Sequence, residues 1–146
     1  MNEHRLNERL TSYWNNARKD AAMPEFAKFN AGAIEDIWKQ CILFVIQPTV
    51  DGRTPNVNFY SVGDSIKSVY GSDMTGRSFN PAQKHFQGAA IMQRVNDIMS
   101  NPIVVHDSGQ FINERSKVVK YRSCRLPFGR NGKVTHIVAG LSWREF

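Results

Sequence analysis

The sequence has little of what marks secreted, zinc-binding and membrane proteins. It contains two cysteines, Cys41 and Cys124, and no CxxC or Cys/His cluster, so a zinc site and a disulfide scaffold are both disfavoured. Its longest apolar run, 42–46, is far shorter than the roughly 20 residues that span a bilayer, and its first residues are charged where a secretory signal is apolar. We therefore expect a cytoplasmic protein with reduced thiols, no bound metal and no membrane contact.

Motifs of known catalytic sites are also missing. The chain has no G-x-S-x-G, H-E-x-x-H, G-x-x-x-x-G-K-[ST] or G-x-G-x-x-G segment. Glu35 and Asp36 are adjacent carboxylates, but neighbouring side chains on a helix point in different directions and do not converge on one proton. We therefore expect a protein that is not an enzyme. A small enzyme without a recognisable motif is the last of three hypotheses.

Positive charge is present in excess, and it is confined to the last third of the chain. The 146 residues carry 19 Lys and Arg against 13 Asp and Glu, a net charge of +6. After residue 112 there are eight Lys and Arg and two Glu, so this segment accounts for the whole excess. The predicted basic surface comprises Arg115, Lys117, Lys120, Arg122, Arg130 and Lys133. Such a surface favours an acidic protein partner or an anionic ligand.

Nucleic acid is the alternative partner for this basic segment. Sheets that bind single strands place aromatic side chains on the same exposed face as their basic residues, and Tyr121 is the one candidate here. The Gly-Phe-Val signature of RNA-recognition strands is missing. A basic nucleic-acid-binding protein that uses the C-terminal strands is therefore our second hypothesis. A solvated charged surface is the ordinary interpretation of the same residues.

The N-terminal segment, 1–22, is predicted to be an amphipathic helix. Leu10, Tyr13 and Trp14 lie at spacings of three and four, and Met23-Pro24 ends the pattern because proline disfavours helical geometry at the residue before it. Such an apolar stripe must be buried against the rest of the domain or against a second copy. We therefore expect Leu10, Tyr13 and Trp14 to form a dimerisation or partner-docking element.

The rest of the chain alternates between short helices and strands. Helices are predicted at 31–38, 63–70 and 80–101, and strands at 42–47, 56–62, 103–107, 115–128 and 133–143. Turns are predicted at Ser108-Gly109 and at 129–132. Two strands, a helical connection and three further strands predict an α+β fold with one antiparallel sheet. The connection is expected to cover one face of the sheet, and the N-terminal helix part of the other.

A series of short motifs runs in order through nearly the whole chain. These are Tyr13-Trp14, Met23-Pro24, Ile42-Leu43-Phe44, Val62-Gly63, Tyr70-Gly71, Asp73-Met-Thr-Gly-Arg77 and Leu126-Pro127-Phe128. Together they resemble the PAS domain family, and more narrowly its stand-alone bacterial members with an N-terminal Tyr-Trp helix. The chain departs from that pattern at Asn58, Phe59 and Tyr60, where the family has arginines in its second strand. The resemblance divides the chain into an N-terminal helix and linker, 1–30, and a single PAS-like domain, 31–146.

The resemblance implies a five-stranded antiparallel sheet with helices enclosing a pocket on one face. It also implies a sensory or regulatory module that binds a small ligand, a protein partner or both. The expected pocket residues are Phe59, Ile66, Tyr70, Phe79, Phe86, Val105, Tyr121, Ser123 and Arg125. Of these, Tyr121, Ser123 and Arg125 are the expected polar contacts for a small amphipathic or anionic molecule. Ordinary core packing is the competing interpretation of every one of these residues.

The sequence does not identify the cofactor or ligand, and haem and flavin are not expected. A flavin photosensor of this fold needs a reactive cysteine in an Asn-Cys-Arg-Phe type helix start, which the chain lacks. His85 is the only histidine on the long predicted helix and lies in its polar first turn. Because the PAS-like domain occupies the whole sequence, we expect its signal to pass in trans, through a homodimer or another protein.

Overall fold

The structure, a computed structural model, describes residues 3–47, 54–81, 92 and 94–146. Within these ranges the helices are α1 (Glu3–Arg18), α2 (Asp64–Tyr70) and α3 (Val95–Ser100), with 3-10 helices at Phe26–Lys28 and Ala31–Gln40. The strands are β1 (Cys41–Gln47), β2 (Asn56–Val62), β3 (Ser78–Phe79), β4 (Val105–Ile112), β5 (Val118–Arg130) and β6 (Lys133–Glu145). None of the helices in the described ranges has the length and apolar character needed to span a membrane.

The strands form one antiparallel sheet in the order β3-β2-β1-β6-β5-β4. On its inner face, Tyr121 of β5 lies 6.0 Å from Phe111 of β4, which stacks on Tyr70 of α2 at 4.5 Å. On its outer face, Gly140 of β6 lies beneath Leu10 of α1. The predicted α+β class, with helices on one face and the N-terminal helix on the other, is confirmed. The sheet has six strands rather than five because the short β3 pairs with β2.

Helix α1 buries its apolar stripe against the outer face of the sheet. Leu10 occupies the space above Gly140, where a Cβ atom would collide with it. Trp14 Nε1 donates a 2.7 Å hydrogen bond to the carbonyl oxygen of Pro127, and Tyr13 is half-buried beside them. The stripe is therefore covered by its own chain. Of the two expected coverings, the rest of the domain and a second copy, the structure shows the first. A role of Leu10, Tyr13 and Trp14 in dimerisation or partner docking stays a prediction.

The turn predicted at Ser108-Gly109 is wrong, because β4 runs through both residues without a break. Gly109 pairs with Tyr121 of β5, and a Cβ atom at Gly109 would lie 2.5 Å from the Tyr121 hydroxyl oxygen. The glycine therefore serves a close side-chain approach rather than a change of chain direction. The turn between β4 and β5 falls at 113–117 instead.

The boundaries of other elements in the structure also differ from the predicted ones. The first helix ends at Arg18 rather than near residue 22. The helix predicted at 63–70 is α2, which has Gly63 as its N-cap and Gly71, with a φ of 91°, as its C-cap. The long helix predicted at 80–101 is wrong in its described part, because residues 80 and 81 are not helical and Arg94, with a φ of 66°, precedes α3, which begins only at Val95. Residues 82–91 and 93 lie outside the described residues.

Candidate functional site

The expected pocket residues lie on the inner face of the sheet in two groups. The first is aromatic: Phe59 lies 4.9 Å from Phe44 of β1 and 5.3 Å from Phe79 of β3, measured between ring centroids. The second is polar and includes Tyr121 and Ser123 of β5. Three strand spacings separate β2 from β5, so the two groups are roughly 14 Å apart along the sheet. Only the second group carries buried polar atoms that could recognise a ligand.

Strand pairing brings the second group together. Ser123 pairs with Asp107 of β4, and Arg125 lies two residues further along the same face of β5. Tyr121 lies two residues in the other direction, and Tyr70 reaches the same region from the C-terminal end of α2 through its stack on Phe111. We call Tyr70, Asp107, Tyr121, Ser123 and Arg125 the inner polar cluster. It is the candidate functional site.

An ion pair between a buried arginine and a half-buried aspartate forms the charged part of the inner polar cluster. Arg125 Nη2 donates a 3.0 Å hydrogen bond to Asp107 Oδ2, and the side chains are 2% and 32% exposed respectively. Burial lowers the pKa of Arg125, while the neighbouring Asp107 carboxylate opposes that shift. The other carboxylate oxygen of Asp107 accepts a 2.8 Å hydrogen bond from the amide of Ser108. Breaking such a pair by removing one partner would leave an uncompensated charge.

Three hydroxyl groups, on Tyr70, Tyr121 and Ser123, form the uncharged part of the cluster. Tyr70 is 1% exposed and Ser123 is 3% exposed, and neither the Tyr70 hydroxyl nor Ser123 Oγ has a hydrogen-bond partner within the described part of the chain. Burial raises the pKa of Tyr70, and it raises the pKa of Tyr121 to about 12. Both phenols therefore stay protonated at neutral pH and can donate a hydrogen bond.

The remaining expected pocket residues have ordinary packing positions or lie outside the described residues. Ile66 is fully buried on α2, and Val105 is half-buried in β4 opposite Arg125. Phe86 lies outside the described residues, as does His85. Ile66 and Val105 therefore contribute apolar side chains and no polar group.

Two further polar residues of this region, Asp107 and Gln40, were not predicted from the sequence. Asp107 was expected to end a strand before a turn, and its pairing with Ser123 depends on β4 continuing past that point. Gln40 is buried, and its amide nitrogen donates to the carbonyl oxygen of Leu141, the residue paired with Ser123. Gln40 Oε1 also lacks a hydrogen-bond partner among the described residues. In the sequence, the alternation of side chains between the two faces of β5 was the signal for this site. It could identify residues of β5, but not Asp107 or Gln40.

Both cysteines lie on the outer face, away from the inner polar cluster. Cys41 and Cys124 pair with Gly140 from opposite sides, beneath α1. The Cys41 thiol donates to the carbonyl oxygen of Ile37 at 3.4 Å. Burial raises the pKa of Cys41 to about 12 and that of Cys124 to about 11. Both are therefore protonated thiols in the core, as expected for buried free cysteines.

The six predicted basic residues do not form one surface. Arg115 lies in the turn after β4, where it forms a 2.8 Å ion pair with Glu145, and Lys117 is exposed in the same turn. Lys120 and Arg122 lie on the outer face of β5, and Arg130 and Lys133 flank the β5–β6 hairpin. Ten strand residues separate Lys120 from Arg130, a distance of roughly 33 Å. A partner would therefore meet two separate basic regions.

The fold resembles those of solved sensory domains. A light-oxygen-voltage domain studied with a flavin analogue is 9% identical, with a TM-score of 0.53, over 81% of this chain and 87% of that one. A LOV protein of Rhodobacter sphaeroides is 8% identical, with a TM-score of 0.50, over 75% of this chain and 64% of that one. The PAS domain of an HTR-like protein from Haloarcula marismortui is 15% identical, with a TM-score of 0.46, over 80% of this chain and 91% of that one.

The two LOV structures, with TM-scores of 0.53 and 0.50, show that the chain has the fold of PAS and LOV domains. The family model described as PAS domain, PAS_5, matches residues 2–142, which is nearly the whole sequence. The chain belongs to this PAS domain family, and it is a sensory domain. No curated protein matches its sequence.

Proposed function

We propose that this PAS domain binds a small molecule at the inner polar cluster and that binding is the event it senses. The observation that carries the proposal is the pair of buried hydroxyls, on Tyr70 and Ser123, that lack a partner among the described residues. Folded proteins satisfy the large majority of their buried polar side-chain atoms. Two such hydroxyls, one on α2 and one on the inner face of β5, near a partly buried ion pair, are typical of a recognition site.

The energetic reason follows from the cost of an unmade hydrogen bond. A buried polar group without a partner costs about 1–3 kcal/mol, and a ligand that supplies the partner recovers much of that cost. The ring of Tyr70, stacked on Phe111 at 4.5 Å, provides apolar surface next to the Tyr70 hydroxyl. Apolar walls with a few placed polar groups are the usual composition of small-molecule sites.

The same proposal includes how ligand binding is communicated to other molecules. We expect a non-enzymatic domain that signals in trans, through a protein partner or through self-association. The outer face of β5 is the surface we assign to an acidic partner, because Lys120 and Arg122 lie there, and Arg144 of β6 pairs with Lys120. The alternative of nucleic-acid binding would require both basic regions to contact one strand or duplex.

A ligand screen with a matched pair of tyrosine variants tests the proposed site. Small metabolites are screened by thermal shift, and each hit is titrated against the wild type, Tyr70→Phe and Tyr60→Phe. Tyr60 is 63% exposed in β2, so it controls for the loss of a tyrosine hydroxyl elsewhere. Tyr70→Phe should weaken hit binding about tenfold, the equivalent of one hydrogen bond. Its unliganded melting temperature should not fall, because the hydroxyl that is removed has no described partner.

The screen can also contradict the proposal. Equal affinity of the hits for the wild type and for Tyr70→Phe would place their binding elsewhere. A fall in the unliganded melting temperature of Tyr70→Phe, with no change in affinity, would show that the hydroxyl is part of the core.

A further inference from the structure

Among the described residues, the charged side chains in and around the inner polar cluster form ion pairs. Arg125 and Asp107 form one ion pair at 3.0 Å. Arg94 and Asp97, which also act electrostatically on Arg125, form a second pair at 2.9 Å. A ligand at the cluster therefore meets a cation whose charge is already compensated, rather than an unmatched positive charge.

An anionic ligand is poorly suited to this arrangement. To reach the Arg125 guanidinium it must share that group with the Asp107 carboxylate, at a like-charge separation of a few ångströms, or displace it. Sharing would add a net negative charge to a site where Arg125 is almost fully buried, and uncompensated buried charge is costly. Displacing Asp107 would break a formed ion pair to make another. Neither route offers a net gain comparable with binding at a free arginine.

The uncharged groups of the cluster are better suited to a ligand. The Tyr70 hydroxyl and Ser123 Oγ can each donate one hydrogen bond and accept another. The Tyr70 hydroxyl belongs to a ring that stacks on Phe111 at 4.5 Å. A carbonyl or hydroxyl oxygen on a flat apolar body would satisfy one of these hydroxyls, and the body would pack against apolar side chains.

We infer that the inner polar cluster binds an uncharged, ring-bearing molecule through a carbonyl or hydroxyl oxygen, and that it discriminates against carboxylates. This inference rests on the proposed function and specifies its ligand class. Of the two ligand types expected from the sequence, amphipathic and anionic, the charge balance favours the first. Asp107 is then a specificity residue, because its carboxylate occupies the position from which an anion would approach Arg125.

Benzamide and benzoate are the probes that test this inference, because they are nearly the same shape and differ by one charge. Their dissociation constants for the full chain are measured by ligand-observed NMR at neutral pH. We expect benzamide to bind about tenfold more tightly than benzoate. Ser123→Ala should weaken benzamide binding and leave the weak binding of benzoate unchanged.

The variant Asp107→Asn tests the role of the carboxylate directly. It keeps the size of the side chain but removes the charge that compensates Arg125. Benzoate should then bind about tenfold more tightly than it does to the wild type, while benzamide affinity changes less than about threefold. Asp20→Asn is the matched control, because Asp20 is exposed after α1 and its charge should not affect either probe.

The outcomes separate the inference from the proposed function. Tighter binding of benzoate than of benzamide to the wild type would overturn the inference and leave a ligand site at the cluster. Unchanged benzoate affinity in a folded Asp107→Asn variant would also overturn it. If that variant does not fold, the wild-type comparison and Ser123→Ala decide the question. Binding of neither probe to the wild type would contradict the inference and count against the proposed function as well.

Discussion

At the scale of single residues, the environment of each side chain decides whether it is chemically available. Cys124 and Arg125 are adjacent in β5, and alternation places them on opposite faces. Alternation also allowed the sequence to predict that Tyr121, Ser123 and Arg125 share a face. It could not predict that Asp107 compensates Arg125, because that contact depends on the register between two strands.

The buried thiols predict a loss of stability at alkaline pH. An unfolded cysteine has a pKa of about 8.5, whereas burial raises the pKa of Cys41 to about 12 and of Cys124 to about 11. The folded state therefore binds the thiol protons more tightly. The stabilisation is complete below the unfolded pKa and is lost as the pH rises toward the folded values. We expect the free energy of unfolding to fall by on the order of 1–2 kcal/mol per thiol between pH 8 and pH 10.

Urea unfolding at several pH values, with a cysteine-free variant, checks this prediction. Cys41→Ala/Cys124→Ala should be less stable than the wild type at pH 8, because it loses buried side-chain volume. Its stability should nevertheless change less between pH 8 and pH 10. A wild type whose stability is constant over this range would show that the thiols do not have raised pKa values.

At the scale of elements, the turn between β4 and β5 holds helix α2 in place. Asn113 Oδ1 accepts 3.0 Å hydrogen bonds from the amides of Arg115 and Lys117, and its amide nitrogen donates to the carbonyl oxygen of Val69 at 2.9 Å. The same nitrogen donates to Glu145 Oε1 at 2.7 Å. One buried asparagine therefore connects the end of α2, the turn and the last strand.

The position of the turn between β4 and β5, and so the role of Asn113 in it, was not predictable from local sequence. Ser108-Gly109 has the composition of a turn, and only the position of the Tyr121 ring explains why the glycine lies inside a strand. Helix α2 itself was predicted well, because Gly71 ends it in the left-handed region that glycine favours. The local stop at Gly71 was therefore interpreted correctly, whereas the role of Gly109, which depends on a neighbouring strand, was not.

Asn113→Ala should destabilise the protein by about 2–4 kcal/mol, because it leaves several buried groups without partners. Asn96→Ala is the matched control. Asn96 is exposed in α3, its side chain donates one hydrogen bond of 3.2 Å to Thr54 Oγ1, and its loss should cost less than about 1 kcal/mol. Chemical denaturation of both variants measures the difference. Equal effects of the two substitutions would show that Asn113 does not have the structural role assigned to it.

At the scale of the whole molecule, the sheet separates two kinds of surface. Its inner face carries the inner polar cluster, and its outer face carries α1 together with basic residues such as Lys120 and Arg122. The order of motifs along the sequence was sufficient to predict the PAS fold, since that order reflects the succession of elements. The sequence showed that the positive charge is concentrated in the last third of the chain. It could not show that these basic residues lie on separate parts of the surface, because composition does not indicate how far apart residues lie once the strands have formed.

The central claim is that ligand recognition occurs on the inner face, at the cluster around Ser123. The most direct test is to map the amide chemical-shift changes that a hit from the thermal-shift screen causes in the isotopically labelled protein. If the ligand binds at the inner polar cluster, we expect the largest chemical-shift changes at Tyr70, Tyr121 and Ser123, and small changes at Lys120 and Arg122. Largest changes at the two basic residues, with the inner polar cluster unperturbed, would contradict it.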